Sequence, residues 1–173
     1  NGNNEIYGDF ESGYDSIEGP QEFGDDVITA GLGNDVIYGG SGDDNINGGN
    51  GDNQLYGDAG DDIIISGGGK DIIQGGEGDD QITAGGGNDV IYGNNDSQPS
   101  NSDSEIDTVI LSGRAADYSI SRVTESIFGD IYYLRDIREG SPDGVDILYD
   151  IDKIQFNDEN YNLSDYYTVK VGE

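Results

Sequence analysis

Between residues 24 and 92 an aliphatic side chain recurs at every ninth position: Ile28, Ile37, Ile46, Leu55, Ile64, Ile73, Ile82 and Ile91. Two places before each stands Asp26, Asp35, Asp44, Asn53, Asp62, Asp71, Asp80 or Asp89. Two places earlier again stands Gly24, Gly33, Gly42, Gly51, Gly60, Gly69, Gly78 or Gly87. A chain with three residue classes locked at fixed offsets over eight units folds as an object that itself repeats. Upstream, Ile6 and Ile17 continue the series at eleven-residue spacing, with Asn4, Asp15, Gly2 and Gly13 in the corresponding places.

Nine residues hold one short strand and one tight turn. The three residues around each aliphatic position, such as Val36, Ile37 and Tyr38, form a minimal strand with one side chain in and two out. The remaining six form the turn, where glycine reaches backbone conformations that a Cβ forbids. Each unit is then half a coil, and eighteen residues complete one coil of a flattened roll. Ile28, Ile46, Ile64 and Ile82 line one parallel sheet, and Ile37, Leu55, Ile73 and Ile91 face them from the other. One aliphatic side chain per half-coil contributes roughly 1.5–3 kcal/mol. Ordering the backbone costs roughly 1–2 kcal/mol for each residue. Burial alone does not hold such a roll together.

Composition indicates what does. The 37 acidic and 7 basic residues give a net charge of −30, and 30 residues are glycine. Self-repulsion at this charge opposes compaction unless cations neutralise it. Nucleic acid and anionic membranes are excluded as partners, since both need a basic surface. No apolar run is long enough for a membrane span, and the first residues do not resemble a signal peptide. With neither Cys nor His, ordinary zinc, iron and copper sites are ruled out, which leaves hard cations that prefer oxygen. The turn aspartates fall eighteen residues apart on each edge of the roll, so stacked coils bring them within about 4.8 Å of one another. Calcium, which takes six to eight oxygens at about 2.3–2.6 Å, fits a gap lined by two carboxylates and turn carbonyls. The competing reading, acids that merely solvate a glycine-rich linker, leaves the phase-locked isoleucines unexplained.

Written as nine letters the unit is GGxGxDxUx, U being apolar. It resembles the RTX (repeats-in-toxin) nonapeptide, closely over residues 24–92 and loosely over 2–23. Gly39, Gly40, Gly42, Asp44 and Ile46 fit the pattern fully, as do Gly75, Gly76, Gly78, Asp80 and Ile82. Ala30, Ser66 and Ala84 replace the first glycine, Asp58 the second, and Asn53 the aspartate. The resemblance implies an all-β, right-handed parallel β-roll in which each calcium bridges successive turns on one edge. Two carbonyls and the aspartate of one turn, with the same set from the next, are the implied ligands; one site takes Gly40, Gly42 and Asp44 with Gly57, Ala59 and Asp62. By the same scheme the contributing turns are Gly24 and Asp26; Gly31, Gly33 and Asp35; and Gly39, Ser41 and the residues just named. Gly48, Gly49, Asn50, Gly51 and Asn53 follow, then Asp58 and Gly60. The series closes with Ser66, Gly67, Gly68, Gly69 and Asp71; Gly75, Glu77 and Asp80; and Ala84, Gly86 and Asp89. The implied total is about six ions, three to an edge. The two sites that share Asn53 lack one charge and are expected to be weakest, and a further site would pair Asp15 with Asp35.

The pattern breaks at residues 96–104, "DSQPSNSDS", which reads as a linker between a roll over 1–95 and a β-rich segment over 105–173. Strand patterning there covers 108–111, 118–123, 131–136, 145–149 and 153–156, with a turn at "SPDG" (141–144). The segments "DTVILSGRAADYSISR" and "DGVDILYDIDKIQFND" resemble the β-rich region that often follows RTX repeats. A roll ending at Ile91 leaves an open edge, so this segment is expected to cap it with a core of Val109, Leu111, Ile120, Ile131, Leu134, Ile147, Leu148, Ile154 and Phe156.

No constellation suggests catalysis. Phosphate-loop lysines, thiolates and imidazoles are absent, and the acids stand in turns suited to metal rather than in an apolar pocket. A column of outward tyrosines, Tyr38, Tyr56 and Tyr92, could stack sugar rings of an extracellular polysaccharide or simply cover the sheet. The resulting expectation is a non-enzymatic, monomeric calcium-binding module, secreted or at the cell surface. Its repeat is already in register at Gly2, which suggests a larger parent with a further module upstream. The resemblance also implies type I secretion and folding on contact with external calcium.

Overall fold

The computed structural model describes residues 5–7, 24–94, 105–125 and 129–164. The expectations placed on Gly2, Asn4, Gly13, Asp15, Ile17 and the 96–104 linker lie outside them.

Eight consecutive strands build the roll: β2 (Val27–Leu32), β3 (Val36–Ser41), β4 (Asn45–Asn50), β5 (Gln54–Ala59), β6 (Ile63–Gly69), β7 (Ile72–Glu77), β8 (Gln81–Gly87) and β9 (Val90–Asn94). Even- and odd-numbered strands separate into two parallel sheets, with Ile28 beside Ile46, Ile46 beside Ile64, and Ile37 beside Leu55. The eighteen-residue coil is therefore the observed unit. Seven of the eight aliphatic residues are wholly inaccessible and Ile28, in the first coil, is nearly so.

The strands are longer than the expected three residues. Pairing continues past the aliphatic position through Gly31 with Gly49 and Gly40 with Asp58, so the second glycine place stays in the ladder although its φ is positive, +122° at Gly31 and +114° at Gly40. Positive φ recurs on the glycine two places before the aspartate. Gly60 has φ +138°, and a Cβ there would collide with the Gly42 carbonyl of the preceding coil. Close stacking of turns, as well as backbone freedom, requires glycine at this position. Asp58 takes the second-glycine place at φ 75°, a conformation that aspartate tolerates better than most residues.

A second departure concerns the start of the chain. β1 (Glu5–Tyr7) pairs with β3, setting Ile6 opposite Ile37. An unbroken eleven-residue series would instead place Ile6 two half-coils before Ile28, in the other sheet. Ile6 thus shares a sheet with Ile37 and not with Ile28.

The remaining strands are β10 (Thr108–Ile110), β11 (Tyr118–Glu125), β12 (Gly129–Asp136), β13 (Val145–Tyr149), β14 (Lys153–Gln155) and β15 (Asn160–Asn162), with one turn of 3-10 helix at Ala115–Asp117. They extend both sheets of the roll. One sheet runs β1-β3-β5-β7-β9-β13-β12-β11 and the other β15-β14-β10-β8-β6-β4-β2. β13 lies parallel to β9 and β10 parallel to β8, continuing the ladder; β11 and β12 then return antiparallel. Val109, Leu111, Ile131, Leu134, Leu148, Ile154 and Phe156 are buried, as expected, with Tyr118, Tyr132, Ile151 and Leu163 added to them. Ile120 is only partly buried, and Ile147 is half-exposed because strand alternation points Asp146 and Leu148 inward instead. Among the described residues no helix is long and apolar enough to cross a membrane.

Candidate metal sites

Each turn aspartate lies where the turn enters the next strand, and the strand's inward aliphatic residue pins it there two places later. Asp35, Asp44, Asp62, Asp71, Asp80 and Asp89 are almost wholly inaccessible. One carboxylate oxygen of Asp44, Asp62, Asp71, Asp80 and Asp89 has a structural task. The Asp26 amide donates to Asp44 Oδ1 at 2.7 Å, Asp44 to Asp62 at 2.8 Å, and Asp62 to Asp80 at 2.8 Å. On the other edge Asn53 donates to Asp71 at 2.8 Å and Asp71 to Asp89 at 2.9 Å. The aspartates are thus rungs between coils before any metal is considered, a role absent from the sequence reading. A second, exposed ladder runs beside the first through the preceding residue, with Asp61 donating to Asp43 Oδ1 and Asp79 to Asp61 Oδ1, both at 2.9 Å.

The other oxygen is what suits the turn to a cation. Oδ2 of Asp62, Asp80 and Asp89 is buried without a hydrogen-bond partner. A Cβ at Gly57 would collide with Asp62 Oδ2 and with the Gly75 carbonyl of the next coil, and one at Gly75 with Asp80 Oδ2 and the Gly93 carbonyl, so each pair of oxygens converges beside a glycine Cα. Gly39 repeats the arrangement with Asp44 Oδ2 and the Gly57 carbonyl. Two electron-rich oxygens converging on one dry space repel unless a proton or cation lies nearby. Burial accordingly pushes the carboxyl of Asp62 up to about 7, that of Asp80 to about 8 and that of Asp89 to about 6, against the hydrogen bonds from neighbouring amides, which lower them. Oxygen-only donors in a repeating gap suit calcium. Among the described residues no three acidic side chains converge on one point, so backbone carbonyls must complete any such shell.

The two edges are not equivalent. The edge of Asp44, Asp62 and Asp80 has glycine throughout at the first turn position (Gly39, Gly57, Gly75), whereas the other has Ala30, Gly48, Ser66 and Ala84. Asn53 Oδ1 still accepts from the Asp35 amide at 3.0 Å, keeping the rung. Its Nδ2 donates to the Gly49 carbonyl at 3.3 Å, so an N–H satisfies an oxygen that a cation would otherwise bind.

The tyrosine column is engaged within the sheet. Tyr38 stacks on Tyr56 with centroids 4.9 Å apart, and Tyr92 stacks on Tyr149 at 4.8 Å. Each ring has one face covered by its neighbour, which favours covering the sheet over stacking sugars.

The sequence reading also missed a polar clamp. Arg138 bridges Asp136 at 2.9 Å and Asp143 at 2.7 Å, and the Tyr118 hydroxyl donates to Asp143. Hydrogen bonds from Arg138 hold the Asp136 carboxyl down at about 2, and burial with the Asp143 bond pushes Tyr118 up to about 12. The clamp fixes the β12–β13 loop against the roll, where the Val145 amide donates to Asn88 Oδ1 at 2.9 Å.

A parallel β-roll with buried aspartate rungs and oxygen-lined gaps defines a calcium-binding repeat protein. A family model of the RTX calcium-binding nonapeptide repeat, in four copies, matches residues 22–55, 38–73 and 65–97, so this part of the chain is an RTX calcium-binding repeat module. Among solved structures it is similar to the solution structure of the AlgE6R3 subunit from the Azotobacter vinelandii mannuronan C5-epimerase. That likeness has 20% identity and a TM-score of 0.33, over 80% of this chain and 76% of the other. No curated protein matches the sequence.

Proposed function

We propose that this chain is the calcium-folded module of a larger secreted or cell-surface protein, disordered at low calcium and folded in external calcium, where it stabilises or displays its parent. The carrying observation is the set of buried Oδ2 atoms of Asp62, Asp80 and Asp89 that lack a hydrogen-bond partner. The roll encloses negative charge that only a cation or a proton relieves. The ligands are the aspartates and turn carbonyls in the scheme given above, about six ions on the regular repeats. Calcium supplies the positive charge; the chain supplies spacing, through the eighteen-residue coil, and dryness, through the isoleucine column. Residues 1–95 act as the roll, 96–104 as the linker, and 105–173 as the cap that covers its last coil.

The test is circular dichroism of the whole chain in EGTA and in millimolar calcium. A disordered spectrum that becomes β on adding calcium, with magnesium a poor substitute because it demands octahedral geometry and sheds water reluctantly, is expected. A fully folded roll in excess chelator at a pH above about 8, where the raised carboxyls are ionised, overturns the reading.

A further inference from the structure

The rungs do not stop where the repeats do. The Asp80 amide donates to Asp107 Oδ1 at 3.0 Å and the Asp89 amide to Asp146 Oδ1 at 3.1 Å. These are the bonds that Asp44 and Asp62 make within the roll, now crossing to β10 and β13. Asp107 and Asp146 are wholly or almost wholly buried, and each precedes an inward aliphatic residue by two places, Val109 and Leu148. Gly144 fills the glycine place before Asp146, with φ 69°. In both registers the C-terminal segment therefore supplies one more turn of the aspartate ladder.

The pairing of a carboxylate oxygen with a carbonyl continues with it. Asp80 is wholly inaccessible, and its Oδ2, without a hydrogen-bond partner, lies beside the Gly93 carbonyl on the side of the coil that faces Asp107. One step further, a Cβ at Gly93 would collide with both Asp107 Oδ2 and the Asp150 carbonyl, so these two oxygens converge there as their counterparts do at Gly75. Asp150 has φ 50°, and it stands two places before Asp152, where a repeat has its glycine. On the opposite edge Asp89 Oδ2 is likewise buried without a hydrogen-bond partner, next to the turn that carries Asp146.

We propose that calcium sites bridge the last coil of the roll to the C-terminal segment, one between Asp80 and Asp107 with the Gly93 carbonyl, its counterpart between Asp89 and Asp146. This rests on the calcium reading of the repeats and extends it past the residues that match the family model. The junction between roll and tail is then closed by the same ions that hold the coils together, so calcium docks the tail as well as folding the repeats.

The test counts calcium ions bound by the full chain, by equilibrium dialysis with calcium alone, in wild type, Asp107→Asn, Asp146→Asn and the double variant, with Asp44→Asn as the control inside the repeats. Asparagine keeps the Oδ1 acceptor for the amide of the preceding coil, as Asn53 does at 3.0 Å, and removes only the charge. Each single variant is expected to lose about one ion and the double variant about two. Hydrogen exchange should show calcium-dependent protection lost over 105–164 but kept over 28–73. If the double variant does not fold, the single variants decide. Unchanged ion counts and tail protection in the Asp107 and Asp146 variants, with a reduced count in Asp44→Asn, overturn this proposal alone. No binding by wild type overturns the repeat reading beneath it.

Discussion

Asp62→Asn separates the two tasks of a turn aspartate. Asparagine retains the oxygen that accepts from the Asp44 amide at 2.8 Å and discards the charge at Oδ2, which faces the next coil. In calcium the variant loses the ions shared with Asp44 and with Asp80. At free calcium ten times Kd each ion contributes about 1.4 kcal/mol, so two are worth about 3 kcal/mol. For a chain of this length that corresponds to a fall in Tm of roughly 6–12 °C. Without calcium the sign reverses. Burial pushes the Asp62 carboxyl up to about 7, so at pH 8 the wild-type roll encloses an uncompensated charge that asparagine removes. The assay is thermal unfolding in calcium, set against refolding by trimethylamine N-oxide in EGTA, an osmolyte that favours the compact state. The variant should melt earlier in the first and refold at lower osmolyte in the second. Destabilisation of similar size in both refutes the argument, since it would make Asp62 a hydrogen-bonding residue with no cation to hold. Asp62→Ala, which also strands the Asp44 amide, should cost about a further 1–3 kcal/mol under either condition.

Asn53→Asp should tighten the two sites that share this residue and lower the calcium midpoint of folding, read by isothermal titration; an unchanged midpoint means that these two sites hold no ions. The ladder carboxyls have folded values raised from 3.8 to about 6–8, so the folded chain binds more protons than the unfolded one. Without calcium, the contribution of these carboxyls to stability is therefore full below pH 3.8 and lost as pH rises through 6–8. Calcium affinity should run the opposite way, weakening as pH falls from 8 to 6, and a flat titration series over that range contradicts the assignment. Deleting residues 100–173 should leave repeats that bind calcium weakly and without cooperativity in a dichroism titration, because β8 and β9 lose their outer partners; cooperative folding equal to that of the full chain would show that the tail is no cap. Asp62→Ala should shift the calcium midpoint more than Asp26→Ala does, since Asp26 lies at the end of the regular series.

Much of the roll was legible because its information is periodic. A fixed count of nine assigns Ile37 and Leu55 to one sheet and Ile46 and Ile64 to the other without knowledge of any contact. What stayed hidden lies where counting fails. From Asp80 to Asp107 is 27 residues and from Asp89 to Asp146 is 57, so neither step announces itself as a repeat. The local signal, an aspartate two places before an aliphatic residue, was present at Asp107, Asp146 and Asp152. Around Asp107, however, Glu105 stands where the glycine belongs. Ile147 was misplaced for a related reason: in "VDILY" both neighbouring aliphatics fit an apolar strand, and only pairing with β9 decides which faces in. The rung hydrogen bonds were not visible at all, since sequence spacing does not distinguish the two oxygens of a carboxylate.

The way β13 reaches its place also sets an order of events. Every strand inside the roll meets its neighbour eighteen residues away, whereas Val90 meets Ile147 across 57. Closing that longer loop costs about 1 kcal/mol more than closing one coil, and it is done once. β11, β12 and β13 need no such closure, because they pair antiparallel through short connections. They can form a small sheet whose β13 edge is bare before any coil exists. β9 then docks on that edge, and each later coil adds to a surface already in place at the lower, constant cost. Assembly on this topology travels from the C-terminal end toward the N-terminus. The Tyr92–Tyr149 stack should close early and the Tyr38–Tyr56 stack late, so the chain carries a built-in pair of clocks on the direction of its own folding.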